Sequence, residues 1–529
     1  MTSRQIRGAA AVAVVLGMTV AACSAPGRGA GNENSGDSVV IGVASEPETL
    51  SPLLGYGKDG NSKLFDGLLA RNADMELIPA LASSMPEISA DGLVYTYTLR
   101  EGVEFSDGEP LSPADVVFTY RTVLDEKTNS TARSELDAVK DVRAEGEDKV
   151  VFHLSYPYAP FAGRTVLPIV PEHIAAEQDP NTGSFNTEPV GTGPYVLSSW
   201  RKGEKLTFKA NPGYWGGAPE VKTLTMAIVQ DDDVRATRLR SGDLDGAILP
   251  PNLVATFKDD DSRKTYRATS YDNRTVTLPT AGEVTGDRAI RQALDLAVDR
   301  GTMVDKILDG AGRPAYGPVP VDDPWFAPEV ERAHDPGRAE AVLDDAGWTA
   351  GADGIRTRDG RRAGFTLLHP SGDKVRQDHA LAYASDAKKV GIDVTVESAT
   401  WEVIEPRMKD DAVLAGFGST GDPDFGLYTM LHSTLAGDGF NNMGRYDNPA
   451  VDQALDTGRR TQGQEARKAA YDTVQRELLK DPGYTFLTHI DHLYVLADRW
   501  DGLTTQTEPH EHGFASGPWW NVEDWKPKG

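Results

Sequence analysis

The chain has 529 residues, 39% hydrophobic and 25% charged, with a formal net charge of −26. That length exceeds one small core and predicts two or three domains. The acidic balance argues against nucleic acid and anionic lipid headgroups as binding partners.

Arg4 and Arg7 form a positive head, and Gly8 to Ala22 carry no charge. The run is shorter than the roughly 20 apolar residues of a membrane span. Basic head, short apolar stretch and small residues together describe a secretory signal over 1–22. "VAAC" ends it at Cys23, the only cysteine of the chain. The tetrapeptide resembles a bacterial lipobox, which implies lipidation of Cys23. A diacylglyceryl group anchors stably where a single alkyl chain does not. Loss of residues 1–22, which hold no acid, makes the charge −28. With one cysteine, no disulfide can form within the chain.

Residues 23–38 are rich in Gly, Ser and Asn and read as a flexible tether spanning roughly 20 Å. "VVIGV" from Val39 reads as a buried strand. A Pro- and Gly-marked loop follows, then the apolar run Leu64–Leu69. "LVYTYTLR" (Leu93–Arg100) is a strand by its aromatic and β-branched content. Ser112 caps a helix that Pro113 starts. "KVVFHL" (Lys149–Leu154) alternates as a half-buried strand, and Lys205–Val229 is rich in strand formers. "DRAIRQALDLAVDRGTMVDKIL" reads as one helix, with Ile290, Ala293, Leu294 and Ala297 on one face. Asp335 caps another helix, Pro336 starts it and Gly347 stops it. "GIDVTVES" (Gly391–Ser398) is a further strand. Alternation without a short fixed period gives a mixed α/β class.

"DGLVYTYTLREGVEFSDGEPLSPADVVFTYRTVLD" resembles the most recognisable block of the family 5 solute-binding proteins, peptide and nickel receptors of ABC importers. "EPVGTGPYVLSSW", "NPGYWGGAPEVKTL", "RAIRQALDLAVDR" and "DPGRAEAVLDDAGW" match later blocks in order. The resemblance implies a two-lobed, type II periplasmic-binding-protein-like fold with an additional domain. One lobe would combine 39–69, 189–281 and 487–529; the additional domain would be 70–188, and the second lobe 282–486. It implies a monomer that captures solute by hinge closure and delivers it to an ABC permease with its ATPase subunits, held by lipid to the outer face of the bacterial membrane.

The alternatives are a secreted hydrolase and a sensory or chaperone receptor on the same fold. "GFGSTG" has Phe417 where a nucleophile elbow needs its first glycine. Neither H-E-x-x-H nor a phosphate loop occurs in the chain. The expectation is binding without turnover and no intrinsic cofactor, with Ni(II) as a chelated ligand in one branch.

In peptide-binding relatives, an aspartate three positions before an Asp/Glu-Pro pair holds the peptide's amino terminus. Here Ser419 stands three positions before Asp422–Pro423, which leaves Asp422 or Asp424 as substitutes. A solvated turn explains "GDPD" equally well. For nickel, His510 and His512 form an extended H-x-H with both rings on one face, and His432 is a third candidate. Trp401, Tyr428, Trp519 and Trp520 are candidate aromatic walls, or core.

Overall fold

The strand Ser38–Val43 is buried along nearly its whole length and lies inside a seven-stranded sheet. It pairs in parallel with Thr223–Ile228 on one side and Gly246–Ile248 on the other. Lys205–Ala210 and Tyr195–Arg201 extend the first side; His492–Ala497 and Arg263–Ala268 extend the second. A computed structural model describes residues 36–419, 421–437, 439–510 and 516–528. Cys23, the leader, the tether up to residue 35, and also His512 lie outside the described residues, and the tether ends earlier than expected, because buried Ser38 already pairs in the first sheet.

A second sheet of six strands runs in the order Gly312–Pro314, Tyr484–Ile490, Asn273–Thr277, Ala412–Phe417, Gly364–Pro370, Asp393–Ala399. Helices Arg288–Ala297, Pro336–Asp345 and Lys374–Lys389 cover it, and Ile290, Leu294, Leu343 and Tyr383 are fully buried. The sheets exchange the chain at 268–273 and again at 490–492. Asn273–Thr277 and Tyr484–Ile490 therefore pair in the second sheet, so these crossings differ from the expected breaks after 281 and 486.

A four-stranded antiparallel sheet, Glu87–Ile88, Val94–Thr98, Lys149–Leu154 and Val139–Glu145, forms the smaller domain. Helix Pro113–Leu124 packs on it through Val116, Tyr120 and Val123. Ser112 and Asp115 close the helix start as a capping box. One continuous apolar cluster joins this domain to the first lobe, from Ile41 and Leu224 to Tyr97 and Phe152.

The stretch expected as one helix is two, Arg288–Ala297 and Arg300–Ile307. Asp299 breaks it, because its side chain accepts from the Thr302 amide and starts a new helix. Arg300 then turns inward and pairs with buried Asp295 at 2.6 Å.

Candidate ligand-binding site

A cavity of about 460 Å³ lies where the hairpin Leu69–Arg71/Leu77–Pro79 and the segment around Gly163 meet loops of the second lobe. Its lining includes Arg71, Met75, Leu77 and Gly163 from the span expected as the additional domain and Asp323, Trp325, Gly421, Asp422 and Phe425 from the second lobe. Tyr271, on the crossing segment between the strands Arg263–Ala268 and Asn273–Thr277, completes it. An inner chamber of about 30 Å³ shares Tyr271, Asp323, Trp325, Gly421 and Asp422 and reaches Phe417, Gly418 and Ser419. A wider groove of about 870 Å³ follows helix Pro113–Leu124, but its walls come from the smaller domain's own chain segments. Of the three, the first is lined both from the additional-domain span and from the second lobe.

Asp422 caps the helix Pro423–Leu431 and accepts two 2.7 Å bonds from Arg467. Asp424, 1% exposed, accepts from Arg459 through both oxygens, at 3.1 and 3.0 Å. Tyr158 of the smaller domain donates to it at 2.8 Å. Burial opposes the Arg459 charge, but Asp424 outweighs burial and raises the guanidinium above its ordinary value. Both carboxylates are engaged by bidentate arginines, so a ligand ammonium would have to displace a strong pair. Asp422 still borders the cavity, whereas Asp424 faces Tyr158.

The sequence reading missed Arg71. It ends the short strand Leu69–Arg71, and its Nη1 donates to the Met75 carbonyl at 3.1 Å. A Cβ on Gly163 or Gly421 would press on the guanidinium, so it lies between the two segments. Among the described residues no carboxylate comes within ion-pair distance of it. Burial, reinforced by Arg164, pulls its pKa below the ordinary value. A lone arginine after an apolar run carries no motif, and only the meeting of distant segments reveals it. Asp323 was missed too. It accepts from the Tyr271 hydroxyl and from the Trp325 amide at 2.6 Å, and burial raises its pKa.

The remaining candidates scatter. Trp401 meets Phe440 edge to face at 5.5 Å. Tyr428 stacks on His432 at 4.5 Å, with the Arg459 guanidinium 3.4 Å from its ring centroid. His432 is 6% exposed; its Nδ1 meets the Thr434 hydroxyl at 2.8 Å. Its Nε2 has no hydrogen-bond partner among the described residues and faces Asp456 at 3.9 Å. Trp519 is 2% exposed, in the first-lobe core against Tyr494 and Trp525. Trp520 donates to Thr504 at 3.1 Å. His510 meets Asp272 at 2.6 Å, just behind Gly416. Among the described residues, no three His, Cys, Asp or Glu side chains are grouped to hold a metal.

At the crossings themselves lies a buried charged network. Asp272 bonds Arg274 at 2.5 Å and His492 at 3.2 Å. His492 also meets Glu508, which accepts from Tyr494. Burial opposes a charge on His492, but Glu508 and Asp272 outweigh it and raise its pKa to about 9. Burial likewise opposes charge on Asp272, yet Arg274, His510 and His492 hold it well below the usual carboxylate range.

Two sheets joined by crossing strands, with an appended domain and a cavity between, is the architecture of a hinged receptor. Residues 76–438 match the family described as bacterial extracellular solute-binding proteins, family 5, middle. The chain belongs to this family. As a family 5 protein it has the type II two-lobed fold, and its activity is substrate binding for an ABC importer. Protein XP55 of Streptomyces lividans is 72% identical over 502 residues, which cover 94% of this chain and 92% of that one. The crystal structure of NikZ from Campylobacter jejuni in complex with Ni(L-His) superimposes with a TM-score of 0.84 at 30% identity, covering 93% of this chain and 100% of NikZ. The oligopeptide-binding protein AppA from Bacillus subtilis, in complex with a nonapeptide, gives 0.79 at 25% identity, covering 93% and 99%.

Proposed function

We propose that this chain is a lipid-anchored receptor. It captures a small, carboxylate-bearing, amino-acid-derived solute between its lobes and passes it unchanged to a membrane permease driven by ATPase subunits. The observation that carries this is Arg71, a guanidinium in the cavity without a carboxylate partner among the described residues. Arg71 is half-buried and feels the Asp59 and Asp422 charges only at a distance, and a ligand carboxylate would supply a direct partner with bidentate geometry. A cavity of about 460 Å³ suits a small molecule. An extended nonapeptide would span about 30 Å, so a short peptide or an amino-acid chelate fits better. Both chemistries occur among the relatives, and both bring a carboxylate.

Nickel, where it is cargo, would arrive already chelated. His432, whose Nε2 is without a hydrogen-bond partner among the described residues, lies outside the cavity lining and so does not by itself favour that branch. His510, His512 and His432 are the side chains to replace.

The receptor works as a monomer. Cys23 would hold it by lipid to the outer face of the cell membrane, close to its permease. Cys23→Ser should release it from membranes or leave its precursor unprocessed. Retention of a cleaved, unlipidated form would remove the anchor from this account.

Native mass spectrometry with metal analysis, on protein purified from its own host, tests the function directly. The expected species is one small carboxylate-bearing solute per chain, released chemically unchanged. Multiple turnovers abolished by a point mutation would establish an enzyme instead. Calorimetry with a mixed di- and tripeptide pool and with nickel–histidine separates the branches. Nickel binding that depends on His510, His512 or His432 should be weakened by their replacement with alanine.

A further inference from the structure

We infer that Asp491 is a positioning residue for capture: a buried carboxylate at the crossing, faced by one arginine from each lobe, that sets the balance between two arrangements of the lobes. This rests on the hinged-capture reading and holds whatever solute the protein takes.

The chain passes from the second sheet to the first at 490–492, and Asp491 is the single residue between the strands Tyr484–Ile490 and His492–Ala497. Its side chain is 1% exposed. From the first lobe comes Arg267, on the edge strand Arg263–Ala268, whose Nε donates to the Asp491 Oδ2 at 2.5 Å. From the second lobe comes Arg313, on the edge strand Gly312–Pro314, whose Nη2 stands 3.8 Å from Oδ1. Oδ1 is buried without a hydrogen-bond partner among the described residues, and so is the Arg313 Nε.

A buried carboxylate oxygen and a buried guanidinium N–H are each costly to leave unmatched. Here the two unmatched groups belong to neighbours. A shift of about 1 Å would close the gap to a charge-assisted hydrogen bond. The arrangement described therefore satisfies the first-lobe arginine and leaves the second-lobe arginine unmatched.

The two arginines answer differently to a rotation about the crossings. Arg267 reaches over the hinge, and its Nη2 donates to the Gly310 carbonyl at 3.0 Å, in the turn after helix Arg300–Ile307. The Asp491 amide donates to the adjacent Ala311 carbonyl at 3.1 Å, so the backbone of Asp491 is held to the second lobe. Movement of the first lobe thus draws Arg267 away from both contacts. Arg313 is fixed to the other crossing by the Ser270 carbonyl at 2.7 Å and to Asp322 at 2.8 Å, and it stays beside Asp491. One carboxylate with an arginine of each lobe at its two oxygens gives two discrete states, as hinges require. Half of the Arg267 side chain is exposed, which weakens its hold by screening and keeps the two states close in energy. Solute then biases a ratio that this pair of arginines has already set.

The test uses the full chain with Cys23→Ser and two new thiols. Val234→Cys lies on the first-lobe helix Asp232–Ser241 and Leu381→Cys on the second-lobe helix Lys374–Lys389, both at exposed positions. Cys23 is the only native cysteine, so nitroxide labels go to those two sites alone. Pulsed dipolar spectroscopy without solute reads the distribution of lobe separations. Arg267→Gln should deplete the separation seen in this structure, changing the ratio of states by about fivefold or more, and Arg313→Gln should enrich it. Arg267→Lys and Arg313→Lys keep the charge and should give smaller shifts of the same sign. They also serve where a glutamine variant folds poorly.

Unchanged distributions in both folded variants overturn the proposal. So do shifts of the two variants in the same direction, since an ion pair that merely holds the fold together would not sort the lobes. Opposed shifts in a protein that binds neither a free-ended di- and tripeptide pool nor nickel–histidine would uphold the hinge balance while removing the solute reading.

Discussion

Tyr158 donates to Asp424 across 2.8 Å and so ties the smaller domain to the second lobe. The same carboxylate holds Arg459 through both oxygens, and Ala159 donates its amide to the Arg459 carbonyl at 3.0 Å. The aspartate therefore belongs to a buried latch. Asp424→Ala leaves the Arg459 charge buried and unmatched, which should destabilise the fold by about 3–5 kcal/mol. Tyr158→Phe removes one hydrogen bond and should cost about 1 kcal/mol. Urea unfolding followed by circular dichroism measures both. An Asp424→Ala variant as stable as wild type would contradict the latch.

The crossing network predicts a pH dependence. His492 holds its proton up to about 9, above its ordinary value of 6.5. Its contribution is therefore fully present below about 6.5 and is lost as pH rises through about 9. Asp272 has the opposite sign. Its depressed pKa contributes above the ordinary carboxylate value and is lost in acid. Wild-type stability should fall between pH 6.5 and 9.5 by more than that of His492→Gln, roughly the interval His492 spans. Parallel urea midpoints across that range in the two proteins would show that His492 does not carry the effect.

Gly421 sits at φ 88°, a left-handed conformation that an L side chain adopts only with strain. A Cβ there would also collide with the Arg71 guanidinium. Gly421→Ala should cost about 1 kcal/mol or more in stability. It should weaken binding of the free-ended peptide pool further, because it displaces the carboxylate-binding cation. Calorimetry beside thermal melts separates the two effects. Unchanged affinity would place Arg71 outside recognition.

Phe425 projects from the second-lobe helix into the apolar cluster of the first lobe and smaller domain. Arg164 lies 3.8 Å over its ring. Phe425→Ala removes an apolar contact made between lobes. The expected result is a larger radius of gyration by X-ray scattering and a higher Kd for the peptide pool, since less of the population is binding-competent. An unchanged scattering curve with unchanged affinity would count against Phe425 as a closure contact.

Local rules carried most of the secondary structure. Ser112 with Pro113, and Asp335 with Pro336, place helix starts where the chain has them. Lys149–Leu154 is the strand its alternation predicts. Local pattern failed at Asp299, where apolar spacing continued through a residue whose side chain restarts the helix. It failed more deeply at the cavity. Whether Asp422 and Asp424 are free depends on Arg467 and Arg459, 45 and 35 residues away, and on Tyr158, 266 residues away. No spacing rule reaches such partners. Arg71 and Asp323 carry no motif, and their meaning arises only when the hairpin Leu69–Arg71/Leu77–Pro79 and the second lobe face each other.

The first sheet joins the strand Ser38–Val43 to His492–Ala497 through the short strand Gly246–Ile248. Every strand of the second sheet falls within 273–490. During synthesis the second lobe has all its strands before the first has its last. The first sheet therefore lacks its strand His492–Ala497, and Arg263–Ala268 its only strand partner, until almost the whole polypeptide is made. Sequence-distant pairing of this kind is slow, because loop closure precedes any reward from contact. Release of a fragment ending before residue 492 should yield a folded second lobe beside a first lobe whose strand Arg263–Ala268 is unpaired.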